Sequence, residues 1–366
     1  MPDYDVIVVG GGMVGVSIAF GLARQGQRTA LFDEGDIAFR AARGNFGLVW
    51  VQGKGSQCPE YASWTRRSAE LWKEFDQDIR AQSRIDTGYI ATGGLHFCLN
   101  EQDFERRDQM LSRMVDDSHN QFQYQMLGRA ALIDRVPLIG SKVLGASFCP
   151  QDGHVNPLGL LHALHLGFQA QGGVLRIEKV QNLSCSDSVF KVTSSSSVLT
   201  AHKVVLAAGL ANKNLAPKLG LNIPVFPQRG QILVTEKIKP FLNYPTSLVR
   251  QTKEGGVLLG DSHEDVGFND GTSIQVMHDI AHHARSMFPF LDRARVVRAW
   301  GALRIMSADG LPIYDQSEQY PGAFSASTHS GVTLAAAHSL DFSRFVVEGK
   351  LPSHLDKFSE KRFHVH

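Results

Sequence analysis

The first hydrophobic run of the chain has no polar face: Val6, Ile7, Val8 and Val9 follow one another directly after Asp5. Such a run predicts a short strand at residues 4–9, buried on both sides in a parallel sheet. The glycine-rich turn Gly10-Gly11-Gly12-Met13-Val14-Gly15 follows at once, and residues 14–24 then carry a helical pattern that Gly26 ends. A second strand is predicted at residues 28–33, with Thr29-Ala30-Leu31-Phe32 leading into Asp33. Further along, the polar, acidic stretch 100–120 predicts a solvated helix. Residues 194–199 predict an exposed hairpin between strands at 189–193 and 203–206. Residues 231–235 and 256–260 predict antiparallel strands of a second sheet.

Length and composition narrow this picture. A chain of 366 residues exceeds what one compact core usually organises, so two domains are expected. Hydrophobic residues make up 43% and charged residues 20%, and the formal net charge is +1. Acids and bases alternate without long runs, which argues against a nucleic-acid surface or a polybasic membrane patch and for a small-molecule partner. Cys58, Cys98, Cys149 and Cys185 are far apart with no CxxC spacing, so zinc-finger or dithiol chemistry has no support. The apolar opening carries Asp3 and Asp5 where a signal peptide would carry bases, and no stretch approaches the length of a transmembrane segment, so a cytoplasmic protein is expected.

The strand–turn–helix setting gives the glycines their chemistry. Gly10 permits a tight turn, Gly12 removes the Cβ that would block a pyrophosphate, and Gly15 lets helix and strand pack closely. Met13 and Val14 open the helix whose unpaired N–H groups and positive dipole end face the phosphates. Asp33, 18 residues beyond Gly15, is placed to accept from the adenosine ribose hydroxyls, which disfavours NADP. Glu34 competes for that role, since a one-residue shift in register exchanges the two; Asp33 is favoured. The fingerprint alone leaves NAD and FAD open. A simple NAD dehydrogenase would continue in β-α alternation, whereas the region after residue 35 is irregular, basic and glycine-bearing.

At that point the chain resembles the D-amino-acid oxidase-like flavoproteins, a family that includes glycine and sarcosine oxidases and flavin subunits of heteromeric dehydrogenases. The resemblance runs nearly end to end. Arg43-Gly44-Asn45-Phe46-Gly47 is similar to the family segment beside the flavin, and Gly93-Gly94-Leu95-His96-Phe97 to the strand entering its substrate domain. Asp152-Gly153-His154-Val155-Asn156-Pro157 is similar to a Gly-x-Val-Asp-Pro element, which implies a helix at residues 158–169. Val204-Val205-Leu206-Ala207-Ala208-Gly209 resembles the strand and turn returning to the flavin, and Pro227-Gln228-Arg229-Gly230-Gln231 a Pro-x-Arg-Gly-Gln motif. Trp300-Gly301-Ala302-Leu303-Arg304 with Asp309-Gly310-Leu311-Pro312 resembles a paired Trp-Gly-Leu-Arg and Asp-Gly-x-Pro motif. Thr328-His329-Ser330-Gly331-Val332-Thr333 resembles the glycine turn against the flavin pyrimidine edge.

The resemblance implies an α/β architecture: a Rossmann-like FAD-binding domain and a discontinuous α+β substrate domain built on an antiparallel sheet. The first is expected at residues 1–80, 145–225 and 295–366, the second at 81–144 and 226–294. It implies FAD held by Gly10, Gly12, Met13, Val14, Gly15, Asp33 or Glu34, residues 43–47, Ala208, Gly209, Gly301, Arg304 and residues 330–333. With no cysteine in Ile305-Met306-Ser307-Ala308, the flavin is expected to be non-covalent. Arg304 matches the family's carboxylate-binding arginine, whose fork donates two parallel hydrogen bonds. Arg250 is a second candidate anion clamp, although it opens a strand at a domain edge, and His329 a candidate polar contact to flavin or substrate. Arg229 is expected to support its loop, and Lys54, following the flavin-side loop, is read as a solvated turn lysine, with an effect on reactivity toward oxygen as the alternative. Gly260-Asp261 superficially matches a hydroxylase motif, but the Glu264-Asp265-Val266-Gly267-Phe268 that follows suits a substrate-domain strand.

The implied activity is oxidation of the C–N bond of an N-substituted or cyclic amino acid by hydride transfer to flavin N5, followed by imine hydrolysis. Residues 43–55 are most similar to the flavin (beta) subunits of heteromeric opine and hydroxyproline dehydrogenases. That implies an alpha subunit carrying the electron relay, admits an FMN at the subunit interface, and puts any iron–sulfur cluster on the partner. A self-sufficient glycine or D-amino-acid oxidase and a non-catalytic flavin-binding subunit are the alternatives.

Overall fold

The computed structural model describes residues 1–35, 41–42 and 44–364. Its largest sheet has eight strands. Along the main path they run Ile313–Gln316, Ala323–Ser327, Val198–Leu206, Tyr4–Val9, Thr29–Asp33 and Val174–Ile177. Tyr4–Val9 is parallel to both neighbours, with Val9 opposite Leu206 and Phe32. Val189–Ser194 pairs antiparallel with Val198–Leu206, the hairpin that the sequence predicts, and Val180–Ser186 attaches through Val189–Ser194.

The unbroken apolar run of the first strand has a direct physical cause. Val6 and Val8 pack against the helices Met13–Arg24, Pro59–Ser83 and Pro157–Ala170. Ile7 and Val9 face the opposite side, among Val192, Val204, Leu219 and Ile223. All four are at most 3% exposed, so neither face of this strand tolerates a polar residue.

A second layer joins two antiparallel sheets. One has three strands, Gly94–Cys98, Gly145–Cys149 and Gln125–Gly128. The other has four, ordered Val249–Gln251, Val257–Leu259, Phe226–Thr235 and Val296–Met306. Leu95, Leu127 and Ala146 share one core with Leu233, Val257 and Ile280, the last from the helix Ile274–Met287.

Two expected domain boundaries move. Gly145–Cys149 pairs with Gly94–Cys98, and Val296–Met306 pairs with Phe226–Thr235, so both belong to the antiparallel sheets, not to the dinucleotide-type sheet. Strand partners are chosen by non-local burial, which local periodicity does not report. The stretch read as a solvated helix is the helix Glu101–Asp117, capped by Asn100 Oδ1 accepting from Asp103 N, but Leu111 and Met114 bury one face of it.

The connection between the layers fixes the site. Leu48–Val49 pairs antiparallel with Gly153–His154, pinning the loop that begins at Gly44. Beyond it, the buried Asp152 carboxylate accepts from Val51 N at 2.6 Å and Gln52 Nε2 at 2.6 Å. These bonds hold residues 50–52 and so place Lys54 and Trp50 at the junction of the two layers.

Candidate active site

Two cavities meet at this junction. The first, about 520 Å³, is a cleft along the C-terminal ends of the parallel strands, lined by Gly10, Gly12, Met13, Val14, Asp33, Glu34, Ala208, Gly209 and Gly331. The second, about 450 Å³, lies between the layers and is lined by Asn45, Phe46, Trp50, Lys54, Asp261, Arg304, His329 and Ser330, among others. Ala41, Asn45 and His329 line both, so the two cavities adjoin.

The glycine turn that opens the first cleft depends on three distinct steric facts. Gly10 sits at φ +106°, and a Cβ there would come 2.4 Å from Ala207 O. A Cβ on Gly15 would lie 1.8 Å from Gly10 O, so helix and strand approach too closely for any other residue. On Gly12, by contrast, a Cβ would meet nothing within 4 Å among the described residues: it would project into the cleft. Gly12 is also the N-cap of the helix Met13–Arg24 and provides no side-chain cap, so first-turn N–H groups remain for a ligand. Asp33 ends its strand with its carboxylate accepting from Gly11 N at 2.8 Å and Gly35 N at 2.9 Å. Glu34 faces the same cleft and pairs with Lys179 at 3.3 Å.

The second cavity is rich in cationic groups. Strand register places Arg304 opposite Gln228, and its guanidinium donates to Asp261 Oδ2 at 2.5 Å and to Ser262 O at 2.7 Å. The loop bearing Asp261 is held by Glu264, whose carboxylate accepts from Arg229 at 2.5 Å, Gln231 Nε2 at 2.8 Å and Ser262 Oγ at 2.7 Å. These donors, Arg229 foremost, keep the Glu264 pKa down at about 2. Arg229 therefore supports the loop and does not line the cavity, as the sequence led us to expect.

Lys54 departs from expectation. Instead of lying in solvent, its Nζ donates to Ser330 Oγ at 2.8 Å and stands 3.1 Å from His329 Nε2. Ser330 Oγ also accepts from the buried Tyr61 hydroxyl at 2.8 Å. Desolvation, with the Arg304 charge nearby, lowers the Lys54 pKa to about 8. Desolvation and the same cations hold His329 well below its ordinary value, so its imidazole is neutral. Sequence reasoning favoured a solvated Lys54 because a Gly-Lys-Gly turn looks exposed until the 328–333 turn folds over it. It also missed Asp261 and His263, whose relation to Arg304 is set only by strand pairing.

Other predicted residues lie elsewhere. Arg250 lines neither cavity: it is buried behind Phe46, with its guanidinium carbon 5.9 Å from that ring and its Nη1 3.3 Å from His154 Nδ1. A Cβ on Gly47 (φ +87°) would lie 2.4 Å from Val155 O, so this glycine serves the chain turn and lines neither cavity. Gly301 packs against the carbonyls of Asp270 and Gly271 and lines neither cavity. Thr333 ties the layers together, its hydroxyl accepting from Trp50 N at 3.2 Å. Gly44, Val332 and Thr333 line the second cavity, and Arg43 is outside the described residues.

Comparison with known proteins agrees with this geometry. Residues 5–340 match the family model described as DAO, FAD dependent oxidoreductase. The chain is 42% identical to an opine oxidase subunit of Agrobacterium tumefaciens (strain Ach5), over 100% of this chain and 99% of that one. Among solved structures, glycine oxidase from Geobacillus kaustophilus superposes with a TM-score of 0.90 at 23% identity, covering 100% of both chains. L-proline dehydrogenase from P. horikoshii gives 0.85 at 20% identity, covering 100% and 99%. No helix of the described residues is long and apolar enough to cross a membrane.

Proposed function

The chain belongs to the DAO family of FAD-dependent oxidoreductases, and we propose that it oxidises the C–N bond of an N-substituted or cyclic amino acid. The single observation that carries this reading is the juxtaposition of a guanidinium, Arg304, in one cavity with an adjoining dinucleotide cleft that shares Ala41, Asn45 and His329 with it. The cleft fits FAD on its own evidence: the space a Gly12 side chain would fill, the uncapped helix start, and an acid at the end of the second strand. When bound, FAD supplies the two-electron acceptor.

In this reading the first-turn N–H groups hold the pyrophosphate, and Asp33 receives the ribose, with Glu34 occupied by Lys179. Arg304 clamps the substrate carboxylate and thereby fixes where the α-carbon points; Asp261 orients the fork. Trp50 and Phe46 supply apolar wall and exclude water from the reacting carbon. His329, neutral, offers a polar contact at the meeting of the two cavities. The imine formed is hydrolysed by water.

The similarity to an opine oxidase subunit supports an opine-type substrate and a partner chain that takes the electrons onward. The test is anaerobic: holoenzyme mixed with a panel of opines, prolines, glycine and D-amino acids, following loss of the visible absorbance of the oxidised flavin. Bleaching by an N-substituted or cyclic amino acid is expected. Bleaching by glycine or D-amino acids alone, with peroxide formed in air, would establish the self-sufficient oxidase instead. No bleaching by any amine would leave only a non-catalytic flavin subunit.

A further inference from the structure

Lys54 has no task in holding the cofactor or the carboxylate, yet the fold places it with care. Its Nζ points to Ser330 Oγ and His329 Nε2, and it lines the cavity that Arg304 also lines. An ammonium has three donor positions, so two of them are used inside the protein and one is left for whatever enters the cavity. Among the described residues no carboxylate is in ion-pair contact with it; its partners are a hydroxyl and a neutral imidazole. A lysine surrounded in this way is easily made neutral.

Amine oxidation creates a need for such a group. An amino acid reaches the enzyme as an ammonium, and nitrogen needs a free lone pair before the α-C–H bond can lose hydride. We propose that Lys54 accepts the proton of the substrate ammonium. The N–H bond of the substrate breaks as the Lys54 Nζ–H bond forms. The nitrogen lone pair then becomes the π bond of the iminium, while the α-C–H electron pair leaves as hydride to FAD. Lys54 returns its proton to water after the product departs. The inference rests on the reading of the cavity as an amine-oxidising site.

The groups facing Lys54 from every side fit this role less well. Asp261 is tied to Arg304 at 2.5 Å. His263, on the same loop, has its pKa lowered by desolvation and by Arg304, and His329 is far below its usual range. Tyr61, from the helix behind, has its pKa raised by burial and already donates to Ser330. Arg107, which packs against Gly53, is bound to Gln52 and Ser147. Lys54, lowered to about 8, is the group matched to accept a proton near neutral pH.

The test compares wild-type holoenzyme with Lys54→Met and the polar Lys54→Gln. Binding of 2-aminoisobutyrate and α-methylproline, which have no hydrogen on the carboxylate-bearing carbon, is measured by calorimetry at pH 7 in buffers of different ionisation enthalpy. Free Lys54 and free amine are then both protonated but share a single proton once bound. Wild type should therefore release about one proton per ligand and either variant close to none. For an oxidisable amine, the acid limb of kcat/KM for flavin reduction should move from near pH 8 toward the pKa of the amine itself. The loss at neutral pH should be about 100-fold or more. Equal proton release and an unmoved limb in the variants would overturn the role of Lys54. Failure of any carboxylated amine to bind or reduce the wild-type enzyme would overturn the amine-oxidising reading itself, and the role of Lys54 with it.

Discussion

Replacing Gly12 by alanine should separate cofactor binding from folding. Gly12 has φ −71° and ψ −176°, a conformation open to any residue, and an added Cβ would touch nothing within 4 Å among the described residues. The apo-protein should therefore lose less than about 1 kcal/mol of stability. Bound FAD would meet the new methyl where its pyrophosphate approaches the helix. Displacing it would break charge-assisted bonds from backbone N–H groups, each worth about 1.5–3 kcal/mol. Losing two gives about 3–6 kcal/mol, or a Kd raised on the order of 10²–10⁴-fold. The assay strips the flavin and titrates it back by fluorescence, with the apo thermal midpoint followed by circular dichroism. Gly15→Ala is the contrast: its Cβ would lie 1.8 Å from Gly10 O, so the apo-protein itself should lose about 3 kcal/mol or more. Wild-type flavin affinity in Gly12→Ala, or equal apo destabilisation in the two variants, would refute the steric reasoning.

Arg304→Ala should lower kcat/KM for a carboxylated amine by about 2–4 kcal/mol of transition-state stabilisation while FAD stays bound; unchanged steady-state kinetics would remove it from the site. Glu264→Ala leaves the 5%-exposed Arg229 without its carboxylate and should cost about 3–5 kcal/mol in denaturant unfolding, with a weaker carboxylate clamp because Asp261 sits on the same loop. His154 is buried beside Arg250, and desolvation depresses its pKa to about 4 against 6.5 unfolded. The unfolded state then binds more protons between pH 6.5 and 4, so stability is lost as pH falls through that window, up to about 3 kcal/mol from this group. His154→Gln should flatten the pH dependence of the apo thermal midpoint there, and an unchanged slope would assign it to other groups.

The dinucleotide cleft was legible because its constraints are local. A strand with two buried faces, a turn that only glycine fits and a helix start without a side-chain cap all fall within residues 4–24, so sequence spacing alone encodes the geometry. The resemblance carried recognition further, to Asn45, Gly331 and Arg304, which line the two cavities. It also carried along Gly47, Gly301 and Arg250, which do not. Phe46 and Leu48 beside Gly47, and Ala302 beside Gly301, do line the second cavity: a motif marks a chain segment, and within a strand or turn alternate residues face opposite ways, so a matched segment delivers both lining residues and the ones packed behind them.

Lys54 and Asp261 were hidden for a related reason, and it bears on how this site discriminates. Each is polar, flanked by glycine or polar residues, and each looks solvated along the chain. Their setting comes from long-range pairing: the 328–333 turn over Lys54, and the register of Val296–Met306 beside Asp261. Loop positions of this kind change without disturbing either core, whereas Gly10 and Gly15 cannot change without breaking the turn. Specificity within a shared flavin fold is therefore expected to reside in these loop groups, and cofactor binding in the glycine turn. Exchanging Lys54 or Asp261 should alter which amine is oxidised and at what pH, and should leave flavin retention intact. Flavin loss accompanying either exchange would show that cofactor and substrate groups are not separable in this way.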